Sequence, residues 1–400
     1  MITIQNAESA LKSIYLDGII NDINTKTNPF LTMVQNNAKA VNGKEARATI
    51  RYGNEGSVAS GTEGGALPMN ANGKVAEIVS PLKNLYGTFQ ISDKAIRAAS
   101  NNASVFSELL ASEMQNLIGT AQANLNGMLY GNGKKLICYA DAVANDPRLI
   151  NVPARFAHIF KIGDVVEVYT ADNEYLGTLT VSTVDASGRN FGHTGTLTQR
   201  AQDRFYLYEV STEDTELNGI DSIFRQDAIY NLPKATHSAI APCVVIAPTV
   251  ANVSLIPVLN EDKIMEFFDA YEEHCQGMPA DILLTHPTVR KAVFENLKNI
   301  RTNIDVTVLE GGFKGFSFNG IPVYSDIKCK GGTMYAMNSD SWAMHQLCDW
   351  TWITGDDGGI LKQIDGKAGY SATLVKYADL VCDKPFIQGK VTGYSARRSV

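Results

Sequence analysis

The stretch from Gly43 to Ile91 constrains this chain more than any other. Ala46, Ala48, Ile50 and Tyr52 alternate with Arg47, Thr49 and Arg51, which is the period of two of a half-buried strand. A return arm follows in Val75, Ile78, Val79 and Leu82 and runs on through Leu85, Gly87, Phe89 and Ile91. Between the arms lie Gly53, Gly56, Gly61, Gly64, Gly65, Pro68 and Gly73. Hairpin connections in compact domains take about two to five residues, so this long tip reads as reach and not as packing. A two-stranded ribbon is marginal in water by itself, and its apolar side chains need a surface to cover. That surface is either the chain's own body or another copy of the chain. The length of the tip favours another copy.

A chain of 400 residues exceeds one comfortable core, so two or three domains are expected. The net charge of −7 argues against a general grip on nucleic acid, which needs clustered Lys and Arg to neutralise phosphates. A protein that only encloses nucleic acid has no such need. Cys138, Cys243, Cys275, Cys329, Cys348 and Cys382 are scattered without a Cys-x-x-Cys, a spacing that suits buried thiols and not a zinc site or disulfide framework. Met1 to Ala10 is polar and reads as no signal peptide, and no apolar run approaches the ~20 residues of a membrane span.

In chain order, Leu11, Ile14, Tyr15, Ile19 and Ile23 recur at helical spacing until Asn28-Pro29 breaks the pattern, with Phe30, Leu31, Met33 and Val34 beyond. Met1 to Asn42 reads as an arm with an apolar stripe that docks on something larger, or as an ordinary helix on its own domain. The clearest helix carries Phe106, Leu110, Met114, Leu117, Ile118, Ala121, Leu125 and Met128 on one stripe and stops at Gly131 and Gly133. At 1.5 Å per residue it spans ~40 Å. Short strands then appear at Asp164–Thr170, Tyr175–Val184 and Phe205–Val210, which suggests a separate small β-barrel or sandwich. Glu216 to Asn231 returns to an amphipathic pattern. From Ala239 the chain reads strand, helix, strand, helix, with Asn260 as a cap and Pro287 at a first helical position. From Val306 it is mostly β.

No catalytic, cofactor or metal constellation is legible. Gly315-Phe-Ser317-Phe-Asn319 lacks the last glycine of a nucleophile elbow, and its serine reads as part of a turn. Gly131-Asn-Gly133-Lys134-Lys135 lacks the spacing of a phosphate loop, and Asp356-Asp357-Gly358-Gly359 resembles a turn more than a calcium loop. His274 and His286 have no nearby partner at catalytic spacing.

The order of these parts resembles the major capsid protein of tailed bacteriophages, the Hong Kong 97-like fold. Phe318-Asn-Gly-Ile-Pro-Val-Tyr-Ser-Asp326, Gly331-Gly332-Thr333-Met-Tyr-Ala-Met337, Asp281-Ile-Leu-Leu-Thr-His-Pro287 and Gly219-Ile-Asp-Ser-Ile-Phe224 resemble stretches of that family. The resemblance implies an α+β chain divided into an N-terminal arm (1–42), an extended loop (43–91), a peripheral domain with a spine helix (92–135), an inserted β domain (136–212), a return into the peripheral domain (213–238), an axial domain with peripheral strands (239–379) and a C-terminal peripheral segment (380–400). It implies pentamers and hexamers in an icosahedral shell around double-stranded DNA, bound without sequence specificity. The partners would be further copies of the chain, a scaffolding protein, a portal and a decoration protein. The place would be the virion, assembled in the host cytoplasm, with no membrane and no cofactor. The early hairpin implies a separate scaffold or an already trimmed chain. On this view Arg47, Ile50, Arg51, Tyr52, Pro68, Lys74, Ile78, Leu82 and Phe89 of the loop, with Leu11, Ile14 and Phe30 of the arm, contact neighbouring subunits. Nothing identifies a partner that would cross-link to Lys74. An encapsulin-like compartment shell shares the fold, and a multidomain hydrolase with a β accessory domain is the rival of a different class. Deleting Gly53 to Gly73 is expected to leave a folded monomer that no longer assembles, read by circular dichroism and by sedimentation; an unfolded monomer would count against the tip as a reaching element.

Overall fold

The computed structural model describes residues 16–25, 27–52, 60, 74–94, 103–142, 149–152, 160–170, 174–197, 205–210, 215–247, 259, 261–275, 277–290, 306–308, 314–355 and 358–394. Helix α1 (Leu16–Thr25) is followed by α2 (Pro29–Asn36). Asn28 caps α2, its side chain accepting from Phe30 N at 2.9 Å, with Pro29 at the first helical position. The Asn-Pro pair therefore starts a second helix as well as ending the first. Phe30, Leu31 and Val34 of α2 lie in the main core, and Ile23 of α1 lies in a second core beside it. The described part of the arm docks on its own chain.

After β1 (Lys39–Ala40), strands β2 (Glu45–Tyr52) and β3 (Lys74–Pro81) form an antiparallel ribbon, with Glu45 opposite Pro81 and Tyr52 opposite Lys74. The return arm does not continue to Ile91. Strand β4 (Lys83–Ser92) leaves the ribbon and joins a body sheet, so the hairpin ends at Leu82, whose N–H donates to Lys44 O. The inward positions slip from Ala76, Ile78 and Ser80 in β3 to Lys83, Leu85, Phe89 and Ile91 in β4, so the period of two breaks by one residue where the chain changes sheets. Pro81, which has no N–H to give a ladder, marks the change.

Helix α3 (Ala103–Leu129) is 27 residues long, or about 40 Å. Met114, Leu117 and Leu125 pack with Leu85, Phe89 and Ile91 of β4. Gly87 admits this approach: a Cβ there would stand 3.0 Å from Leu117 Cδ1. The next six strands are β5 (Leu136–Ala142), β6 (Leu149–Asn151), β7 (Val165–Tyr169), β8 (Tyr175–Val184), β9 (Asn190–Thr194) and β10 (Phe205–Glu209). They close a barrel in the order β10-β5-β6-β9-β8-β7 around Ala140, Val168, Leu179, Phe191 and Leu207. Three of the six were legible as strands beforehand.

The chain re-enters the body at Gly219, where a Cβ would collide with the carbonyl oxygens of Met128, Leu129 and Gly131 at the end of α3. Glu216 to Asn231 forms no long amphipathic helix. It makes one 3-10 turn at Ile220–Ser222 and a short pair, β11 (Ala228–Ile229) with β12 (Leu232–Pro233). Strand β13 (Cys243–Ile246), helix α4 (Glu261–His274) and strands β14 (Ile282–Thr285), β15 (Val306–Val308), β16 (Lys314–Phe318), β17 (Ile321–Ser325) and β18 (Met334–Met337) follow. Ser317 sits inside β16; the turn is Asn319-Gly320, both at positive φ. The chain ends in β19 (Trp342–Trp352), β20 (Lys362–Gln363), β21 (Gly369–Cys382) and β22 (Gly389–Thr392). A mixed seven-stranded sheet runs β13-β22-β18-β14-β17-β16-β15, and α4 covers it with Ile264, Phe267, Phe268 and Tyr271. The body sheet runs β1-β19-β21-β20, with β4 on the other flank of β21.

A buried ionic cluster ties the return segment to the seven-stranded sheet. Asp221 is fully buried and meets Lys330 at 2.6 Å and Lys390 at 3.0 Å, and Tyr335 Oη donates to it at 2.8 Å. Burial alone would raise this carboxyl, but Lys330 and Lys390 outweigh burial and hold it below the usual carboxylate range. Asp221→Ala leaves both lysines without this partner and is expected to cost about 3–5 kcal/mol, seen as a lower urea midpoint. Because the folded value is lowered, the stability Asp221 supplies is complete above its unfolded value and is lost as pH falls through the folded one. The wild-type advantage over Asp221→Asn should therefore shrink in acid; an advantage that grows in acid would overturn the assignment.

Candidate assembly surface

The ribbon has two unlike faces. Ala46, Ile50, Ala76 and Ile78 point into the main core beside Ile220, Ile223, Trp342 and Leu380 of the same chain. Glu45, Arg47, Thr49, Arg51 and Glu77 stay exposed. Arg47 meets Glu45 at 3.3 Å and Glu77 at 3.5 Å, exposed pairs that add little stability. The body of the same chain therefore covers the inner apolar face of the described ribbon, while Val75 stays exposed.

Four of the expected contact residues are corrected by this packing. Ile50, Ile78 and Phe30 are fully buried and Phe89 is 5% exposed, all inside the protomer. A side chain enclosed by its own chain has no surface left for a neighbour. Alternation identified Ile50 and Phe89 as lying on apolar strand faces and could not say what covered them. Arg47, Arg51 and Lys74 are exposed, while Tyr52 and Leu82 are half-buried. Leu11, Ile14 and Pro68 lie outside the described residues.

The base of the ribbon is anchored by residues that carried no sequence signal. Asp379 of β21 is fully buried and accepts from Ser80 Oγ at 2.5 Å, Asn218 Nδ2 at 2.9 Å and Asn218 N at 2.9 Å. Burial raises its carboxyl, opposed by these bonds and by Lys83. At the opposite end of the ribbon, Tyr52 Oη lies 3.0 Å from His237 Nδ1. The only trace of these anchors in the sequence is a polar residue inside an apolar strand, as at Ser80 and Asp379.

A second exposed face lies on the body sheet. The outward side chains of β4 are Asn84, Tyr86, Thr88 and Gln90, none of them charged. Tyr86 crosses Tyr377 edge to face at 6.5 Å, and the hydroxyls of Thr88 and Thr373 lie 3.2 Å apart. Depletion of charge with exposed tyrosine is the composition of an interface core.

A cleft of about 430 Å³ is lined by Ser341, His345 and Asp383. Among the described residues, the side chains lining the cleft do not form a catalytic constellation. Ser341 Oγ donates to Asn338, and Asp383 meets Ser341 only through backbone, its N–H donating to Ser341 O at 2.9 Å, so among the described residues no side-chain hydrogen bond joins the three. Burial, helped by Lys39, lowers His345 to about 4, so it is neutral at pH 7. Among the described residues no group of three His, Cys, Asp or Glu could hold a metal, and no helix is long and apolar enough to cross a membrane.

No protein-family model and no curated protein matches this chain. Solved structures do. A chain of the cyanophage A-1(L) capsid asymmetric unit aligns with 93% of this chain and 94% of its own at 14% identity, with a TM-score of 0.55. The procapsid of satellite phage P4 with its size determination protein aligns over 95% and 98% at 12% identity and 0.44. The holo-SrpI encapsulin of Synechococcus elongatus aligns over 94% and 90% at 10% identity and 0.44. The last two fall below 0.5 and stand as resemblances alone. The first speaks for the architecture over almost the whole length: the chain has an α+β fold of the phage-capsid, Hong Kong 97-like kind.

Proposed function

We propose that this chain is the major capsid protein of a tailed bacteriophage, which self-assembles as pentamers and hexamers into an icosahedral shell enclosing double-stranded DNA. The observation that carries the reading is the fold likeness to a cyanophage capsid chain across 93% of the residues. Three features support it. The ribbon presents a polar face and continues at Tyr52 and Lys74 into a 21-residue glycine-rich stretch. The outer face of β4 is uncharged. The net charge of −7 suits enclosure of DNA without a grip on it. The role is structural: each copy is completed by contacts with others, and obligate contacts of that kind bury roughly 2,000–5,000 Å². A scaffolding protein, a portal and a decoration protein are the further partners, and the virion is the place.

Full-length protein expressed alone or with its neighbouring genes and imaged by negative stain should give closed shells or capsomers. Nuclease-protected DNA inside particles made beside a portal and packaging motor would complete the assignment. Shells filled with an enzyme and free of DNA would point to a protein compartment instead. Protein that stays monomeric at every salt and concentration would remove the shell reading.

A further inference from the structure

Among the described residues, β1, β20 and β4 of the body sheet each pair with one neighbour and leave an edge free. These edges are not alike. Strands β1 and β20 are two residues long, and each begins at an exposed lysine, Lys39 or Lys362. Short length and lysine are the usual protection of a free edge against other chains. Strand β4 has ten residues, no proline and no bulge in its ladder with β21. Its one charged residue, Lys83, is 1% exposed. The longest of these edges is thus the one without protection.

The register shows which groups that edge offers. Just past β4, Asp93 N–H donates to Ala368 O at 3.1 Å, and the ladder runs in step from Ser92 opposite Gly369 to Lys83 opposite Ala378. On the other side of β21, Ile353 N–H donates to Thr373 O at 2.9 Å. Every second residue of an antiparallel strand turns its N–H and C=O to the same neighbour. Lys83, Leu85, Gly87, Phe89 and Ile91 therefore turn theirs to β21. Asn84, Tyr86, Thr88 and Gln90 turn theirs to the outer edge, where no described residue bonds them. These same four side chains are exposed, Tyr86 by 59%.

We propose that the outer edge of β4 is where two copies of this chain join, their β4 strands antiparallel about a twofold axis at Gly87, so that two body sheets become one. The proposal deepens the shell reading above and rests on it for the larger assembly to which the pair belongs. About this axis Tyr86 faces the partner's Thr88, and Asn84 faces the partner's Gln90. Each facing pair exchanges two backbone hydrogen bonds, and an aromatic side chain opposite a β-branched one adds packing. A second copy fits because the strand meets itself without like charges opposite one another. The neighbouring outward residues of β21, Ser371, Thr373, Val375 and Tyr377, are uncharged as well. The contact is isologous, so it closes at two copies and does not run on into a fibre.

The test uses the full chain under assembly conditions. Tyr86→Cys and Thr88→Cys proteins are oxidised separately and as a mixture, with wild type as the baseline for the native thiols, and cross-linked dimers are read on a non-reducing gel. In the mixture the two new thiols face each other; in either protein alone they stand two residues out of register. The mixture should give at least about threefold more dimer than either protein alone. Thr88→Pro removes an outer-edge N–H and leaves the β21 ladder whole. It should hold its thermal midpoint within roughly 4 °C and weaken association about tenfold or more. Equal cross-linking in the mixture and in the separate proteins, or undiminished association of a folded Thr88→Pro, would overturn the proposal, and shells formed alongside would leave the shell reading intact. Mixture-specific dimers without shells would keep the β4 contact and sink the shell reading. Neither dimers nor particles at any concentration would sink both.

Discussion

Asp379 is the point on which the rest of the structure turns. Its carboxylate is fully buried, and it sits on the one strand that joins β4 to β19. A buried carboxylate is tolerable only when its oxygens are met by donors. Ser80 from the ribbon and Asn218 from the return segment supply them. Three stretches far apart in sequence are thereby held at one point.

Around that point the chain is assembled by buried polar contacts as much as by apolar ones. Asn28 both caps α2 and donates to Asp326 Oδ2 at 2.9 Å, and Asn126 of α3 donates to the same oxygen at 2.7 Å. Lys376 of β21 reaches Asp349 at 2.8 Å, and Asn24 of α1 donates to the other oxygen at 3.0 Å. Lys134, 6% exposed, seats the barrel by meeting Glu167 at 2.9 Å and donating to Tyr169 Oη at 2.7 Å. Lys330, which pairs with Asp221, also lies 4.7 Å over the Tyr206 ring of the barrel. Directional contacts of this kind specify one arrangement of arm, beam helix and barrel, where apolar burial alone would accept several.

The division of the ribbon has a consequence for assembly. Ala46, Ile50, Ala76 and Ile78 are covered within the protomer, so what its described part offers beyond its own chain is mostly polar and charged, with Val75 as an exposed apolar side chain. Contacts made by Arg47, Arg51 and Lys74 would steer partners and fix register more than they would bind, and salt would weaken them. Lasting affinity would have to come from less charged surface, of which the outward side of β4 with Tyr86 is the described example.

Period and punctuation determined much by themselves. The stripe on α3, the alternation of β2, three of the six barrel strands and the helix over the late sheet follow from repeats of two and near four, read within ten or twenty residues. The tertiary structure alone decided what each face meets. Ile50 and Ile78 were legible as one face of a strand, but only the fold shows that face closed by Ile220 and Trp342. The step from β3 to β4 left only a one-residue slip of the alternation in the sequence, and which sheet each strand enters was decided by the fold. The contacts of Asp221, Asp379 and Asn231 could not be read locally, since their partners stand far away along the chain. A residue's spacing tells which neighbours share its side of an element; which surface it touches depends on the path of the whole chain.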